Sequence, residues 1–179
     1  DDKIIIEIHV KEKSTGQITF GGGFSSTDGL LGDVSLSERN FLGKGQNMKL
    51  AFRLSSVRQD VDLGFTEPYF LGSNFSAGID LFSRKEGEGS SQTLSKSTRS
   101  YDLKRLGGSL RASYPFNEYL THAVRYSYRE DDITDVDSDA SLFIKKQEGS
   151  NTTSLIAHSI TYDKRDNPKN PKQGYIVKL

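Results

Sequence analysis

Apolar and polar side chains alternate with a period of two along most of this chain, and no run of consecutive apolar residues is longer than three. That pattern belongs to a β-strand, whose successive side chains point to opposite faces. Ile18, Phe20 and Phe24 are interleaved with Gln17, Thr19 and Gly23. Met48, Leu50, Phe52 and Leu54 are interleaved with Asn47, Lys49, Ala51 and Arg53. Val61, Leu63 and Phe65, then Phe75, Ala77, Ile79 and Leu81, continue the series. So do Leu106, Leu110 and Tyr114, the run Leu120, His122, Val124, Tyr126 and Tyr128, and the run Ile156, His158, Ile160 and Tyr162. A further strand starts near Gly174. A membrane-spanning helix needs about 20 mostly apolar residues, and none is present. The mean hydropathy of −0.58 does not exclude a membrane barrel, because only alternate residues of its strands face lipid.

The polar face carries Arg53, Asp60, Asp62, Arg111, Arg125 and Arg129. A soluble β-sandwich, acting as a binding module, would show the same alternation with the apolar face as its core. Two features favour the membrane. Several stretches exceed the usual strand of about 5–6 residues and approach the 9–11 that cross a bilayer. The connections are also asymmetric. Counted from the strand at 16–25, the odd ones fall near 26–29, 56–59, 84–99 and 131–152. The even ones fall near 39–45, 67–73, 115–118 and 164–174. The two longest are odd, and all four prolines (Pro68, Pro115, Pro168, Pro171) are even. Outer-membrane barrels have long extracellular loops and short periplasmic turns, so the odd end is expected outside and the even end in the periplasm. Tyr69, Phe70, Tyr114, Phe116 and Tyr119 gather at the even end, where an interfacial aromatic girdle belongs. The expected fold is all-β: part of an antiparallel up-and-down transmembrane barrel.

The chemistry-bearing patterns are sparse. The 24 basic and 24 acidic residues balance, without the basic bias of a nucleic-acid binder. Cysteine is absent, which rules out disulfides and thiolate metal sites within the chain. The opening Asp1-Asp2-Lys3 shows no signal peptide and reads as an internal segment. Gly21 to Ser26 lacks the Lys-Ser/Thr ending of a phosphate loop, and Ser26 stands where a dinucleotide fingerprint needs glycine. Asp135, Asp137 and Asp139 begin like a calcium loop, but Ala140 replaces its glycine and Lys146 its bidentate glutamate. His9, His122 and His158 have no ligand spacing. No cofactor, metal or catalytic grouping is expected, and the chain reads as a non-enzyme. The first barrel strand, Gln17 to Ser25, carries Gly21, Gly22 and Gly23. Glycine weakens a strand through entropy and missing packing, so the edge holding these three is expected either to open readily or to accommodate a bulge or curvature.

Three turn segments and the first strand resemble the family of BamA-type outer-membrane protein insertases. They are Asn40-Phe41-Leu42-Gly43-Lys44-Gly45, then Glu67-Pro68-Tyr69-Phe70 after Phe65-Thr66, then Asp163-Lys164-Arg165-Asp166-Asn167-Pro168 followed by Pro171 and Gly174. Thr15-Gly16 through Gly21-Gly22-Gly23-Phe24-Ser25 resembles that family's exit from its last POTRA domain into the barrel. The resemblance implies that residues 1–14 close the last POTRA domain, with its final strand at Ile4 to Lys11. Residues 15–179 would then supply eight strands and the start of a ninth, of sixteen. It also implies a bacterial outer-membrane location with the N-terminal end periplasmic. The client-pairing gate would be Gln17, Ile18, Thr19, Phe20, Gly21, Gly22, Gly23, Phe24 and Ser25. Implied partners are unfolded outer-membrane β-barrel clients, the BAM lipoproteins and the lipid bilayer, with no nucleic acid. A TamA-like assembly factor or a two-partner secretion pore is the related alternative.

Overall fold

In the computed structural model, residues 7, 9, 13–26, 28–87 and 100–179 are described. The strand expected at 4–11 falls almost wholly outside them. Nine strands follow one another in a single sheet, each antiparallel to the next, in the order of the chain. They are β1 (Gln17–Ser25), β2 (Gly29–Phe41), β3 (Gln46–Ser55), β4 (Arg58–Glu67), β5 (Ser76–Glu86), β6 (Asp102–Pro115), β7 (Leu120–Thr134), β8 (Gly149–Asp163) and β9 (Ile176–Lys178). Among the described residues, no helix is long and apolar enough to cross a membrane.

The register carries the alternation across the whole sheet. Ile18 faces Leu36, which faces Leu50, which faces Leu63, which faces Leu81. Further along, Ile79 faces Leu110, then Tyr126, then Ile156. A slip of one residue would transfer every one of these side chains to the charged face. The partner rows are polar: Arg53 opposite Asp60 opposite Arg84, and Lys49 opposite Gly64 opposite Asp80. No second layer covers the apolar face. Phe20, Phe24, Leu54, Leu106 and Ile156 are all exposed, and among the described residues the buried apolar side chains are Val57, Ile133 and Ala140. A sandwich would place a second sheet about 10 Å away over these residues; none exists among the described residues. The soluble reading is therefore set aside.

The connections differ in extent from the sequence expectation. β5 and β7 continue through their charged ends to Glu86 and Thr134, and β8 begins at Gly149, so the loop expected at 131–152 shrinks to 135–148; β6 begins at Asp102, beyond the end of the loop expected at 84–99. Strand pairing there is compensated electrostatically. Arg105 Nε lies 2.8 Å from Asp131 Oδ1, and Arg58 Nε lies 3.5 Å from Glu86 Oε1. A one-turn helix, α1 (Leu142–Lys145), sits in the second loop. Ser141 caps it by accepting from Ile144 N–H. Four residues are too few to leave a periodic trace in sequence. The odd-end loops are knitted by backbone bonds from Ser56 to Asp28, Gly87 to Val57 and Asp137 to Ser100.

The even end carries the ring contacts. Tyr114 meets Phe116 edge-on at 5.4 Å, Tyr119 and Tyr162 lie 6.2 Å apart, and Tyr162 and Tyr175 lie 6.0 Å apart. His122 and His158, both on the apolar face, meet edge-on at 5.8 Å. They join this girdle as rings with an apolar body and a polar tip. Leu63 lies mid-strand on the apolar face, between Leu50 and Leu81. Leu63→Arg is expected to cost about 2–4 kcal/mol, the penalty for a cation at the bilayer midplane. Urea titration of the full-length protein folded into liposomes measures it. A cost below about 0.5 kcal/mol, the usual range for an indifferent surface site, would place this face outside lipid.

Candidate functional site

Among the described residues, the nine residues of β1 pair with β2 alone. Along this strand every residue except Ser25 is exposed, Phe20 at 75% and Phe24 at 73%. An edge strand offers a row of unpaired N–H and C=O groups to any chain that can align with it.

The three glycines of β1 have different surroundings. Gly21 lies opposite Asp33, and a Cβ there would strike the Asp33 carboxylate. Gly22 lies opposite Gly32. A Cβ at Gly22 would meet only the Leu31 carbonyl at 3.7 Å, and one at Gly23 would meet nothing within 4 Å. Gly22 and Gly32 leave a stretch of apolar face without side chains, between the Phe20–Val34 and Phe24–Leu30 pairs. The strand is therefore thinly packed at its centre by composition, while the space beside it would admit larger residues. Before the strand, Thr15 donates to the Glu38 carboxylate, tying the entry of β1 to β2.

The turn segments are self-contained hydrogen-bond caps. In the first, the Asn40 side chain accepts from Gly45 N–H at 2.7 Å and its carbonyl accepts from Gly43 N–H at 3.0 Å. Leu42, Gly43 and Gly45 all have positive φ, a conformation glycine adopts without steric cost. In the second, Glu67 accepts from Tyr69 N–H at 3.0 Å and from Gln46 Nε2 at 2.7 Å. That last bond clasps the second even turn to the first. Phe70 opens a short 3-10 turn, Phe70–Gly72, after Pro68. In the last, Arg165 grips Asp163 through Nε at 2.8 Å and Nη2 at 2.7 Å. Asp166 Oδ1 accepts from the backbone of Asn167, Lys172 and Gln173, and Asn167 Oδ1 accepts from Lys169 and Asn170. Gly174 has φ +94°, and a Cβ there would strike the Lys164 carbonyl. Pro168 and Pro171 occupy the same 164–175 turn. These motif residues shape the even end and do not converge on β1.

The charged face forms a network that sequence reading did not resolve. Asp80 accepts from Arg111 Nε at 2.7 Å, Arg111 Nη2 at 2.9 Å and Ser109 at 2.9 Å, while Arg111 also donates to Thr66 at 3.0 Å. Asp62 takes Arg53 at 3.2 Å and Arg84 at 3.3 Å. Asp60 is the largest fully buried side chain, held by Arg58 at 2.9 Å. Phe82 covers Gly107, its cross-strand partner, and Arg84 lies 4.9 Å over the Phe82 ring, within cation–π range. Counting register from the tight turns is the signal that would have paired these residues.

A single up-and-down antiparallel sheet with one apolar and one charged face, its two longest connections at the same end, is the wall of a transmembrane β-barrel. Residues 40–179 match the Omp85 superfamily domain, and the chain belongs to that superfamily. It is 27% identical over 176 residues to the outer membrane protein assembly factor BamA of Neorickettsia risticii, covering 98% of this chain and 23% of that protein. It is 31% identical over 180 residues to the assembly factor BamA of Nitratidesulfovibrio vulgaris, covering 99% of this chain and 21% of that protein. The chain thus spans roughly a fifth of these relatives. The crystal structure of BamA from Haemophilus ducreyi lacking POTRA domains 1–3 shares the fold. Its TM-score is 0.59 at 22% identity, over 94% of this chain and 34% of that one.

The backbone N–H groups of Gln173, then Lys172, hold the Asp166 carboxyl below its ordinary value of 3.8. A lowered folded pKa means that this anchor is in full force above the ordinary value and weakens only as pH falls through the lowered one. Asp166→Ala is expected to speed hydrogen exchange at Lys172 and Gln173 without altering β7–β8 exchange. Unchanged protection at those two amides would show that the turn is held by other contacts.

Proposed function

We propose that this chain is the amino-terminal part of an outer-membrane insertase barrel, which folds and inserts β-barrel proteins without nucleotide hydrolysis. The observation that carries the reading is β1: a nine-residue strand with three consecutive glycines at its centre, where a Cβ at Gly22 or Gly23 would meet almost nothing. A strand with little packing is cheap to detach from a closing partner, and its free backbone then templates an incoming strand by β-augmentation. Relatives named as outer membrane protein assembly factors support the same reading. In it, residues 1–14 end the last POTRA domain, the even end faces the periplasm and the odd end faces outward. Clients are unfolded outer-membrane β-barrel proteins, and the partners are BAM lipoproteins. The catalysis is templating, with no covalent chemistry at any side chain.

Gly22→Val adds a side chain that the structure accommodates, so it tests packing of the strand rather than a clash. It is expected to slow client assembly severalfold at equal barrel abundance. Unchanged assembly would reduce the glycines to a means of curvature.

Disulfide cross-linking in cells addresses the pairing directly. With one cysteine at Thr19 of the full-length protein and a second scanned along the last strand of an arrested client, cross-linking is expected at one register position. Its absence, with the barrel folded and present, would favour a secretion pore using the charged interior as a polypeptide path.

A further inference from the structure

Of the three glycines in β1, Gly21 alone has its side-chain space filled. The three atoms nearest to a Cβ built there are Oδ1, Cγ and Oδ2 of Asp33, its partner on β2. The Asp33 carboxylate therefore lies across β1, over the Gly21 backbone, on the charged face. It leans away from its other cross-strand neighbour, Arg53. That guanidinium turns toward β4 instead, 3.2 Å from Asp62 and 3.9 Å from Asp60. Arg58, which lines the same depression as Asp33, is held by Asp60 and Glu86. Among the described residues Asp33 makes no ion pair or side-chain hydrogen bond of its own, and the residue is exposed. Asp33 is also the one charge on this face of the β1–β2 ladder. The other side chains there are Gln17, Thr19 and Ser25 on β1, and Leu31, Ser35 and Ser37 on β2.

We propose that Asp33 is a specificity-determining residue of the templating strand: through the gap left by Gly21 it selects client strands with lysine or arginine at the position paired with Gly21. The inference rests on the proposed pairing of β1 with a client strand. Neighbouring strands lie about 4.8 Å apart, so a carboxylate over Gly21 stands one strand nearer to the client than its own backbone does. A strand aligned along β1 sets the side chain opposite Gly21 beside that carboxylate. Opposite charges in cross-strand contact stabilise a pair and like charges destabilise it. A client cation there gives Asp33 the ion pair it lacks, and a client carboxylate meets it with Arg53 and Arg58 already engaged elsewhere. The glycine makes the reach possible. A Cβ at position 21 would push the carboxylate back toward β2, whereas Cβ atoms at 22 and 23 would have room.

The test uses the full-length protein in cells. The cross-link from a cysteine at Thr19 to the client's last strand fixes the register, and so identifies the client residue that antiparallel pairing sets opposite Gly21. That residue is made Lys, Gln or Glu in turn, and client assembly is measured at equal barrel abundance. The Lys client is expected to assemble about threefold or more faster than the Glu client, with Gln between, the size of one cross-strand charge pair. Asp33→Asn should abolish the difference, and Asp33→Lys should reverse it. Each comparison is between clients on one barrel, so a general loss of barrel folding cancels. Equal rates for Lys and Glu on the unsubstituted barrel, with the cross-link present, would overturn the role of Asp33 and leave the pairing of β1 intact. A Lys preference that survives Asp33→Asn would overturn it as well. Absence of the cross-link at every client position, with the barrel folded, would overturn the pairing itself, and the selection with it.

Discussion

Every backbone N–H and C=O inside a bilayer must find a partner, because hydrocarbon offers none. In this molecule the obligation is met between neighbours in the chain: β1 to β2, β2 to β3, and so on to β9, without a crossover. That ladder dictates the rest. It fixes which side chains share a face, and it confines the turns to two ends. The side chains add little core of their own; the buried apolar residues are few and lie at or near the odd end. What holds the wall together is pairing plus its surroundings, with lipid against one face and a network of ion pairs on the other.

That dependence explains why the fold was so legible in the sequence. Lipid imposes the same demand on every strand, so Ile18, Leu50, Leu63, Leu81, Leu110, Tyr126 and Ile156 announce one face with a simple period. The strand limits at β1 and the even-end turns follow from glycine, proline and aromatic punctuation. The loops were less legible. Arg84, Glu86, Asp131 and Asp132 look like loop residues by composition, yet they stay in strand, where Asp60 lies opposite Arg84, Arg58 opposite Glu86, Arg105 opposite Asp131 and Lys104 opposite Asp132. Pairings such as Phe82 over Gly107, or Arg111 with Asp80, depend on register across dozens of residues, which composition does not carry.

The proposed site was legible as a segment but not in its detail. Three consecutive glycines announce a weak strand. They do not announce that Gly21 is hemmed in by Asp33 while Gly22 faces another glycine and Gly23 has open space where a side chain would stand. The motif residues at the even end marked the family correctly and turn out to be builders of turns. Asn40, Glu67 and Asp166 each satisfy backbone donors that would otherwise point into the interface unpaired. Their work is to hold the even end in shape.

The two longest strands have a geometric consequence. β7 and β8 each run for 15 residues, about 50 Å of extended chain at roughly 3.3 Å per residue. Tilted by about 40°, they rise nearly 40 Å, against an apolar band of about 25 Å. The hairpin thus overshoots the hydrocarbon layer by on the order of 10 Å at its odd end. There Glu130, Asp132, Ser150 and Thr152 replace the apolar row, and α1 with Leu142 and Phe143 crowns the tip. This part of the wall stands as a parapet above the lipid, free of the bilayer's compositional rule, and its sequence can drift without disturbing the barrel beneath.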